Sequence, residues 1–246
     1  MNILVTGAKG FIGSHLIRHL KNKRNHHLFE FNRNDDIDDL MNIVPKLDFV
    51  YHLAGVNRSN DKNLFQKVNV DFTHQLCEVL SANRKVKLLY SSSIQASNNN
   101  YYGMSKKKAE IICQDFGKQY SNKVYICRLP GIFGEGCKPN YNSVVATFCH
   151  NIAKNQEIKI IDKDKEIELV YISDLCEFFL SFLNNFDPEN SQYILPSYHI
   201  KINELASIIK SFNNNFDYKP NQINSSQFKN NLFKTFKSYQ EKNFSI

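Results

Sequence analysis

Short apolar runs alternate with segments of helical periodicity along the first half of the chain. Apolar runs at 3–5, 27–31, 48–53, 86–90 and 124–127 predict β-strands. Between them, apolar residues recur every three or four positions, at 12, 16 and 20 and again over 65–80, which predicts helices. This alternation indicates an α/β fold, a Rossmann-like doubly wound parallel sheet covered by helices on both faces.

Helical patterns continue in the second half, over 174–183 and 202–212. Further on, Phe228, Leu232 and Phe236 recur every fourth residue in a tail rich in Asn and Lys. This spacing predicts a last amphipathic helix that docks on another surface.

Composition and charge exclude several classes of protein. The 246 residues carry 31 Lys and Arg against 24 Asp and Glu, a net charge of +7, but the lysines are scattered and 106–108 is their tightest run. We therefore expect a solvated basic surface and no nucleic-acid partner. The six cysteines form no C-x-x-C pair and mostly lie in apolar segments, which indicates reduced thiols of a cytoplasmic protein and no metal site. The sequence shows neither a charged leader nor a long apolar span, so we expect no secretion and no membrane partner.

A glycine-rich motif, Thr-Gly-Ala-Lys-Gly-Phe-Ile-Gly, follows the first predicted strand over 6–13 and precedes the first helical pattern. The first glycine allows a sharp turn, the second lets a pyrophosphate approach the backbone, and the third lets the helix pack closely on its strand. The pyrophosphate would lie at the helix N-terminus. The predicted dinucleotide contacts are Gly7, Lys9, Gly10, Phe11, Ile12 and Gly13.

The second predicted strand runs into Asn32 and Arg33, where many NAD-binding proteins of this fold place an acid for the ribose hydroxyls. An acid would repel a 2′-phosphate, whereas a guanidinium can pair with one. We therefore expect both residues to contact the cofactor and favour NADP(H) over NAD(H). Asp35 or Asp36 could still reach the ribose.

Three polar residues carry the predicted chemistry. Tyr102 and Lys106 are four residues apart, which places them on one helix face, where the ammonium can lower the pKa of the phenol from about 10 and bind the nicotinamide ribose. An apolar strand ending in Ser93 delivers hydroxyls to the carboxyl edge of the sheet, where ligands bind. We predict that Ser93 polarises a carbonyl and that Tyr102 donates the proton.

The order of the motifs resembles the NAD-dependent epimerase/dehydratase family of extended short-chain dehydrogenases. The matching motifs are 6–13, His-Leu-Ala-Gly at 52–55, Asn69, the serine strand, Tyr-Gly-x-Ser-Lys at 102–106 and Arg-Leu-Pro-Gly-Ile-Phe-Gly at 128–134. The resemblance implies further cofactor contacts at Leu53, Ala54, Gly55, Asn69, Tyr102, Lys106 and Pro130.

The same resemblance implies one extended domain over 1–246. In it, 1–127 would mainly bind the dinucleotide, 128–246 would mainly form a small C-terminal substrate-binding lobe, and 163–184 would return to the nucleotide-binding core. It also implies a homodimer through the helix that carries Tyr102 and the helix within 65–80.

Three segments, 52–58, 91–96 and 138–149, resemble more narrowly the reductase domains of bacterial capsular-polysaccharide biosynthesis. This implies NADPH-dependent reduction of the 4-keto group of a UDP-2-acetamido-2,6-dideoxyhexulose, toward a precursor of the UDP-N-acetyl-L-fucosamine type. It implies substrate contacts at Ser93, Lys138, Asn142 and Ser143, and a separate or fused cupin epimerase as a partner. Ile94 and Gln95 stand where dehydratases of this fold carry an Asp-Glu pair, so dehydration is disfavoured.

Two alternatives stay open at this point. A nucleotide-sugar 4-epimerase that retains NAD would use the same three residues, although Arg33 argues against it. A non-catalytic NADP-binding sensor or structural module is disfavoured because Ser93, Tyr102 and Lys106 are all present.

Overall fold

The computed structural model describes residues 1–23, 26–184, 195, 197–214 and 226–241. The chain divides into two units, Met1–Leu129 and Pro130–Ile246.

Five parallel strands form the sheet of the first unit, in the order β2-β1-β3-β4-β5. The strands are β1 (Asn2–Thr6), β2 (His27–Phe31), β3 (Phe49–His52), β4 (Lys87–Ser93) and β5 (Val124–Leu129). The helices are α1 (Phe11–Asn22), α2 (Lys62–Phe65), α3 (Phe72–Leu80) and α4 (Tyr101–Tyr120). This sheet confirms the predicted Rossmann-like α/β class. Its strand order reverses between β1 and β3, and ligands of such sheets bind at the carboxyl ends of the strands beside that reversal.

Side chains from the strands and from the helices that cover them form the core of this unit. Leu4, Val50 and Leu88 come from three neighbouring strands and are fully buried, as are Leu76 of α3 and Ala109 of α4. Burial on both faces explains why these strands are nearly continuous apolar runs in the sequence. The core thereby fixes the carboxyl ends of β1, β3 and β4 relative to one another.

The helical stripe predicted over 65–80 is interrupted. A π-helical turn, Gln66–Asp71, separates α2 from α3. It carries Asn69, which is 1% exposed. Turns of this kind are rare in proteins, and those that occur are often found at functional sites.

The second unit contains a three-stranded sheet with β7 in the centre, parallel to β6 and antiparallel to β8. Its elements are β6 (Gly131–Phe133), α5 (Val144–Ala153), β7 (Glu166–Tyr171), α6 (Ile172–Ser181), β8 (Tyr198–Lys201), α7 (Ile202–Asn214) and α8 (Gln227–Gln240). Residues 163–184 lie in the second unit, where β7 pairs with β6 and β8. The expected return of this segment to the nucleotide-binding core, and the division of binding tasks between the units, stay predictions.

The predicted tail helix is α8, and it packs on α7 within the second unit. The ring of Phe212 lies 5.3 Å from the ring of Phe233 and 5.8 Å from the ring of Phe236. Leu232 and Phe236 are fully buried, as their spacing predicts.

All six cysteines are free thiols, and five of them are buried. None of the helices in the described ranges combines the length and apolar content needed to cross a bilayer. Over those same ranges, the His, Cys, Asp and Glu side chains form no group of three or more that could hold a metal ion.

Candidate active site

The glycine turn after β1 requires glycine at two positions. Gly7 has a φ of +67°, and its N–H donates a 2.7 Å hydrogen bond to the carbonyl of Phe31. A Cβ on Gly7 would lie 2.8 Å from the backbone nitrogen of Ala54, and one on Gly13 would lie 2.2 Å from the carbonyl oxygen of Gly7. The turn is therefore closed tightly against the loop that follows β3 and against α1.

Gly10 differs from these two glycines because a Cβ there would make one tight contact and no severe clash. It would lie 3.1 Å from the carbonyl oxygen of Gly7. Gly10 is also the N-cap of α1, and no side chain caps this helix end. Uncapped N–H groups at a helix N-terminus bind anions. The uncapped N-terminus of α1 at Gly10 therefore suits the pyrophosphate of a dinucleotide.

Asn32, at the end of β2, supports the glycine turn. Its Oδ1 accepts a 2.8 Å hydrogen bond from the backbone N–H of Lys9, and its own N–H donates to Asp35 Oδ2 at 2.7 Å. Asp36 accepts a hydrogen bond from the N–H of Asp38. Both carboxylates that could have reached a ribose are thus bonded to backbone N–H groups, whereas the side chain of Arg33 is exposed.

The other cofactor contacts predicted in the first unit lie around the same strand ends. Lys9, Gly10 and Gly55 are exposed, and Phe11, Ile12, Leu53 and Ala54 are half-buried. Their roles stay predictions.

A buried histidine ties β3 to its neighbours. His52 Nδ1 lies 2.7 Å from the hydroxyl of Thr6, and Nε2 lies 2.9 Å from the hydroxyl of Thr73. Burial and the nearby ammonium of Lys106 lower the pKa of His52 to about 3. The imidazole is therefore neutral at physiological pH and serves as a hydrogen-bonding link.

Asn69 holds the loop after β3 against α4. Its Oδ1 accepts from the N–H of Val56 at 2.7 Å, and its Nδ2 donates to the carbonyl of Val56 and to Ser105 Oγ, both at 2.9 Å. The side chain predicted to touch the cofactor thus makes three hydrogen bonds to protein atoms. Asn69 can still act on a cofactor indirectly, by fixing the loop that contains Gly55.

Lys106 is buried at the carboxyl end of β4. Its Nζ donates a 2.6 Å hydrogen bond to the carbonyl of Ser91 and lies 4.4 Å from the ring centroid of Tyr90. A Cβ on Gly55 would lie 3.6 Å from this Nζ, so the exposed Gly55 backbone is beside the ammonium. Burial lowers the pKa of Lys106 to about 8, with Cys113 and Glu110 acting in the opposite direction.

Tyr102 begins the same helix face and is half-buried. Burial raises the pKa of its phenol, and a hydrogen bond from the Ser93 side chain opposes that rise. The sequence predicted a lowered pKa, which is not what the structure shows, because burial outweighs the other effects on the phenol. The structure nevertheless brings Ser93, Tyr102 and Lys106 to one edge of the sheet.

An ion pair that the sequence reasoning missed lies beneath these residues. Glu110 is 1% exposed and accepts hydrogen bonds from Arg128 Nε at 2.8 Å, from Arg128 Nη2 at 2.7 Å and from Ser92 Oγ at 2.6 Å. One signal was available, since Glu110 follows Lys106 by four residues and therefore shares its face of α4.

The remaining predicted site residues belong to the second unit. Pro130 begins it, and Lys138 and Asn142 are exposed in the loop between β6 and α5. Lys138 Nζ lies 5.5 Å from the ring centroid of Tyr141. Ser143 is the N-cap of α5 and accepts a hydrogen bond from the N–H of Ala146. Substrate binding by these residues stays a prediction.

Comparison with known proteins identifies relatives of this chain. The profile of the NAD dependent epimerase/dehydratase family matches residues 3–195. A UDP-2-acetamido-2,6-beta-L-arabino-hexul-4-ose reductase of Pseudomonas aeruginosa is 41% identical over 216 residues, covering 87% of this chain and 58% of the reductase.

Solved structures include two informative neighbours. The capsular polysaccharide assembling protein CapF from Staphylococcus aureus aligns with a TM-score of 0.84 and 35% identity, over 97% of this chain and 65% of CapF. A UDP-glucuronic acid 4-epimerase from Bacillus cereus, solved with NAD, also aligns with a TM-score of 0.84, at 18% identity, over 98% of this chain and 99% of the epimerase. The epimerase shows the shared fold alone. The chain spans less than two thirds of the Pseudomonas reductase and of CapF.

Proposed function

Because the chain belongs to the NAD dependent epimerase/dehydratase family, we propose that it is a nucleotide-sugar 4-ketoreductase acting on a UDP-2-acetamido-2,6-dideoxyhexulose. The observation that carries this proposal is the 41% identity to the Pseudomonas reductase over most of the chain. The side chains of the first unit supply groups suited to the reaction.

A reduced nicotinamide dinucleotide, held by its pyrophosphate at the glycine turn, would supply a hydride to the carbonyl carbon. Tyr102 donates its phenolic proton to the carbonyl oxygen, and the hydroxyl of Ser93 hydrogen-bonds to the same oxygen. The carbonyl thereby gains one hydride and one proton and becomes an alcohol. Lys106 binds the ribose hydroxyls and places a positive charge beside the phenol as it loses its proton.

We infer that the preferred cofactor is NADP(H). Arg33 is exposed at the end of β2, where a 2′-phosphate would lie in a sheet of this order. Asp35 and Asp36 each accept a hydrogen bond from a backbone N–H, which engages one oxygen of each carboxylate within the loop. NAD(H) is the less favoured alternative.

We also propose a homodimer through α4. Tyr101, Met104 and Ile111 are 55%, 48% and 46% exposed and lie on one face of this helix, with the exposed Lys108 between the last two. Exposed apolar surface of this kind is typical of self-association. A cupin epimerase that processes the same sugar, and a role in surface polysaccharide synthesis, complete the proposal.

One incubation tests the function. Purified protein is mixed with a 4-keto UDP-2-acetamido-2,6-dideoxyhexulose and NADPH, and both absorbance and product mass are followed. A reductase oxidises one NADPH for each alcohol formed. An epimerase interconverts sugars without net cofactor consumption, and a non-catalytic module binds NADPH without turnover; either result would overturn the proposal.

A further inference from the structure

The carboxylate of Glu110 lies at the junction of three elements. Glu110 is on α4, Ser92 is on β4, and Arg128 is on β5, and both partners bond to Oε1 of the carboxylate. The guanidinium also binds Oε2, so the pair is bidentate. The side chain of Arg128 is 40% exposed, whereas that of Glu110 is 1% exposed. The acid is therefore the buried member of the pair.

We propose that Glu110 is a positioning residue for Lys106 and Ser93, whose buried carboxylate keeps the Lys106 ammonium charged and fixes the end of β4. This inference deepens the proposed function and rests on it for the roles of Lys106 and Ser93. Glu110 is not itself proposed to touch substrate or cofactor.

Three successive serines at the end of β4 each contact a residue of α4. The carbonyl of Ser91 accepts from Lys106 Nζ at 2.6 Å, the hydroxyl of Ser92 donates to Glu110 at 2.6 Å, and the hydroxyl of Ser93 bonds to Tyr102. The Ser92 contact thus ties β4 to α4 between the residues that contact Lys106 and Tyr102. Glu110 thereby holds the end of β4 against α4.

The charge state of Lys106 depends on the titratable groups that surround its ammonium. The titratable groups around it are Tyr90 on β4, His52 on β3, and Tyr102, Glu110 and Cys113 on α4, with Cys77 of α3 hydrogen-bonded to Cys113. Burial raises the pKa values of both tyrosines. The hydrogen bond between Cys113 and Cys77 is the largest cause that raises the pKa of Cys113, and burial is the next. Burial lowers the pKa of His52.

The shifts leave His52, Tyr90 and Tyr102 neutral near pH 7, whereas Glu110 is ionised. Burial would raise the pKa of the Glu110 carboxyl, but hydrogen bonds from Arg128, Ser92 and Lys107 overcome that effect and lower it. Glu110 is thus a charged group that opposes the desolvation of Lys106, and Cys113 acts in the same direction. Removing the charge of Glu110 takes away part of that opposition, and Lys106 then loses its proton at lower pH.

Two substitutions with opposite expected effects test this inference. Glu110→Gln keeps the shape of the side chain and removes its charge, so the pKa of Lys106 should fall, by about one unit. Arg128→Gln removes the main compensating cation and leaves Glu110 with the longer, 3.4 Å contact from Lys107 Nζ, so the pKa of Lys106 should rise. A purely structural role would move both variants in the same direction.

The titration is followed by NMR in cofactor-free protein labelled at the lysine side-chain carbons, with the Lys106 signal assigned by its loss in Lys106→Met. Glu78→Gln is the matched control, because it removes an exposed glutamate from α3 and should leave the Lys106 titration unchanged. In parallel, the alkaline limb of the NADPH-dependent rate should move to lower pH in Glu110→Gln.

An unmoved Lys106 titration in Glu110→Gln, or shifts of the same sign in both variants, overturns the inference. If Glu110→Gln does not fold, Arg128→Gln decides: a raised pKa of Lys106 supports the inference, and an unchanged or lowered one overturns it. The NMR titration requires no turnover. If the two variants show the expected shifts of the Lys106 pKa but wild-type protein reduces no 4-keto sugar, the proposed function is contradicted and the electrostatic inference stands.

Discussion

His52 donates to Thr73, and this direction fixes the tautomer of the buried imidazole. Thr73 has one hydroxyl proton, which it gives to the carbonyl of Asn69 at 2.7 Å, so its oxygen must accept the proton on His52 Nε2. Nδ1 then accepts from the hydroxyl of Thr6. The oxygen of Thr6 in turn accepts from the N–H of Ala54. A single neutral histidine therefore connects β1, the loop after β3 and the π-helical turn.

This network predicts a loss of stability in acid. The folded state keeps His52 neutral down to a pKa of about 3, whereas the unfolded chain takes up a proton near pH 6.5. As the pH falls below 6.5, the unfolded state binds a proton that the folded state lacks. The free energy of unfolding should then fall by about 1.4 kcal/mol per pH unit from this group. Urea midpoints followed by circular dichroism between pH 7.5 and 5.0 measure the slope.

His52→Asn provides the comparison for this slope. The variant should be less stable than wild type at pH 7.5, because buried hydrogen bonds are lost, but it should lose less stability on acidification. Equal slopes in the two proteins would show that His52 is not the group responsible.

Tyr102→Phe should abolish most turnover while leaving cofactor affinity unchanged. The substitution removes the proposed proton donor and retains the ring, and general acid catalysis contributes roughly 10² to 10⁴ in rate. Tyr120→Phe is a matched control on the same helix, since Tyr120 lies at the far end of α4 and packs against Phe116. Steady-state rates and NADPH titration measure the two effects. Undiminished reduction in Tyr102→Phe would remove Tyr102 from the mechanism.

The sequence predicts those parts of the fold that depend on local patterns. Apolar runs give strands because both faces of a parallel sheet are buried, and β2 agrees residue for residue with 27–31. The glycine turn is equally legible, since Gly7 adopts the positive φ that its motif requires. The π-helical turn was missed because one extra residue in a turn leaves no separate periodicity in a stripe as short as 65–80.

Properties that depend on distant contacts were not predicted. Glu110 and Arg128 are 18 residues apart, and the structure brings them together only by packing α4 on β4 and β5. The pKa of Tyr102 rises because of burial, which its Tyr-x-x-x-Lys spacing does not report. The position of β7 in a second sheet depends on pairing with β6 and β8, for which a single strand carries no local signal.

Alanine at Gly13 and at Gly10 should have opposite kinds of effect. A Cβ on Gly13 meets the carbonyl of Gly7 at 2.2 Å, so Gly13→Ala should cost about 1 to 3 kcal/mol of stability through overpacking. Gly10 has extended backbone angles, and a Cβ there would lie 3.1 Å from the carbonyl oxygen of Gly7, a contact that a small shift relieves, so Gly10→Ala should change stability by less than about 1 kcal/mol. The added methyl group would instead lie where the pyrophosphate approaches the backbone, and it should weaken cofactor binding by about tenfold, or about 1.4 kcal/mol. Thermal unfolding and cofactor titration separate the two effects. Unchanged affinity in Gly10→Ala would argue against a pyrophosphate at this turn.

Arg33→Ala should weaken NADPH selectively. Arg33 is exposed at the end of β2, Asn32 is held by Lys9 and Asp35, and Asp36 accepts a hydrogen bond from the N–H of Asp38. A charge-assisted contact to a 2′-phosphate contributes about 1.5 to 3 kcal/mol, so its loss should weaken NADPH by about one to two powers of ten and leave NADH nearly unchanged. Arg18→Ala makes the same change in charge at an exposed position of α1 and should spare both affinities. Fluorescence titration of both cofactors against the three proteins decides the matter. Equal losses for NADPH and NADH in Arg33→Ala would show that Arg33 does not recognise the phosphate, and the proposed reductase would then lose its support for NADP(H).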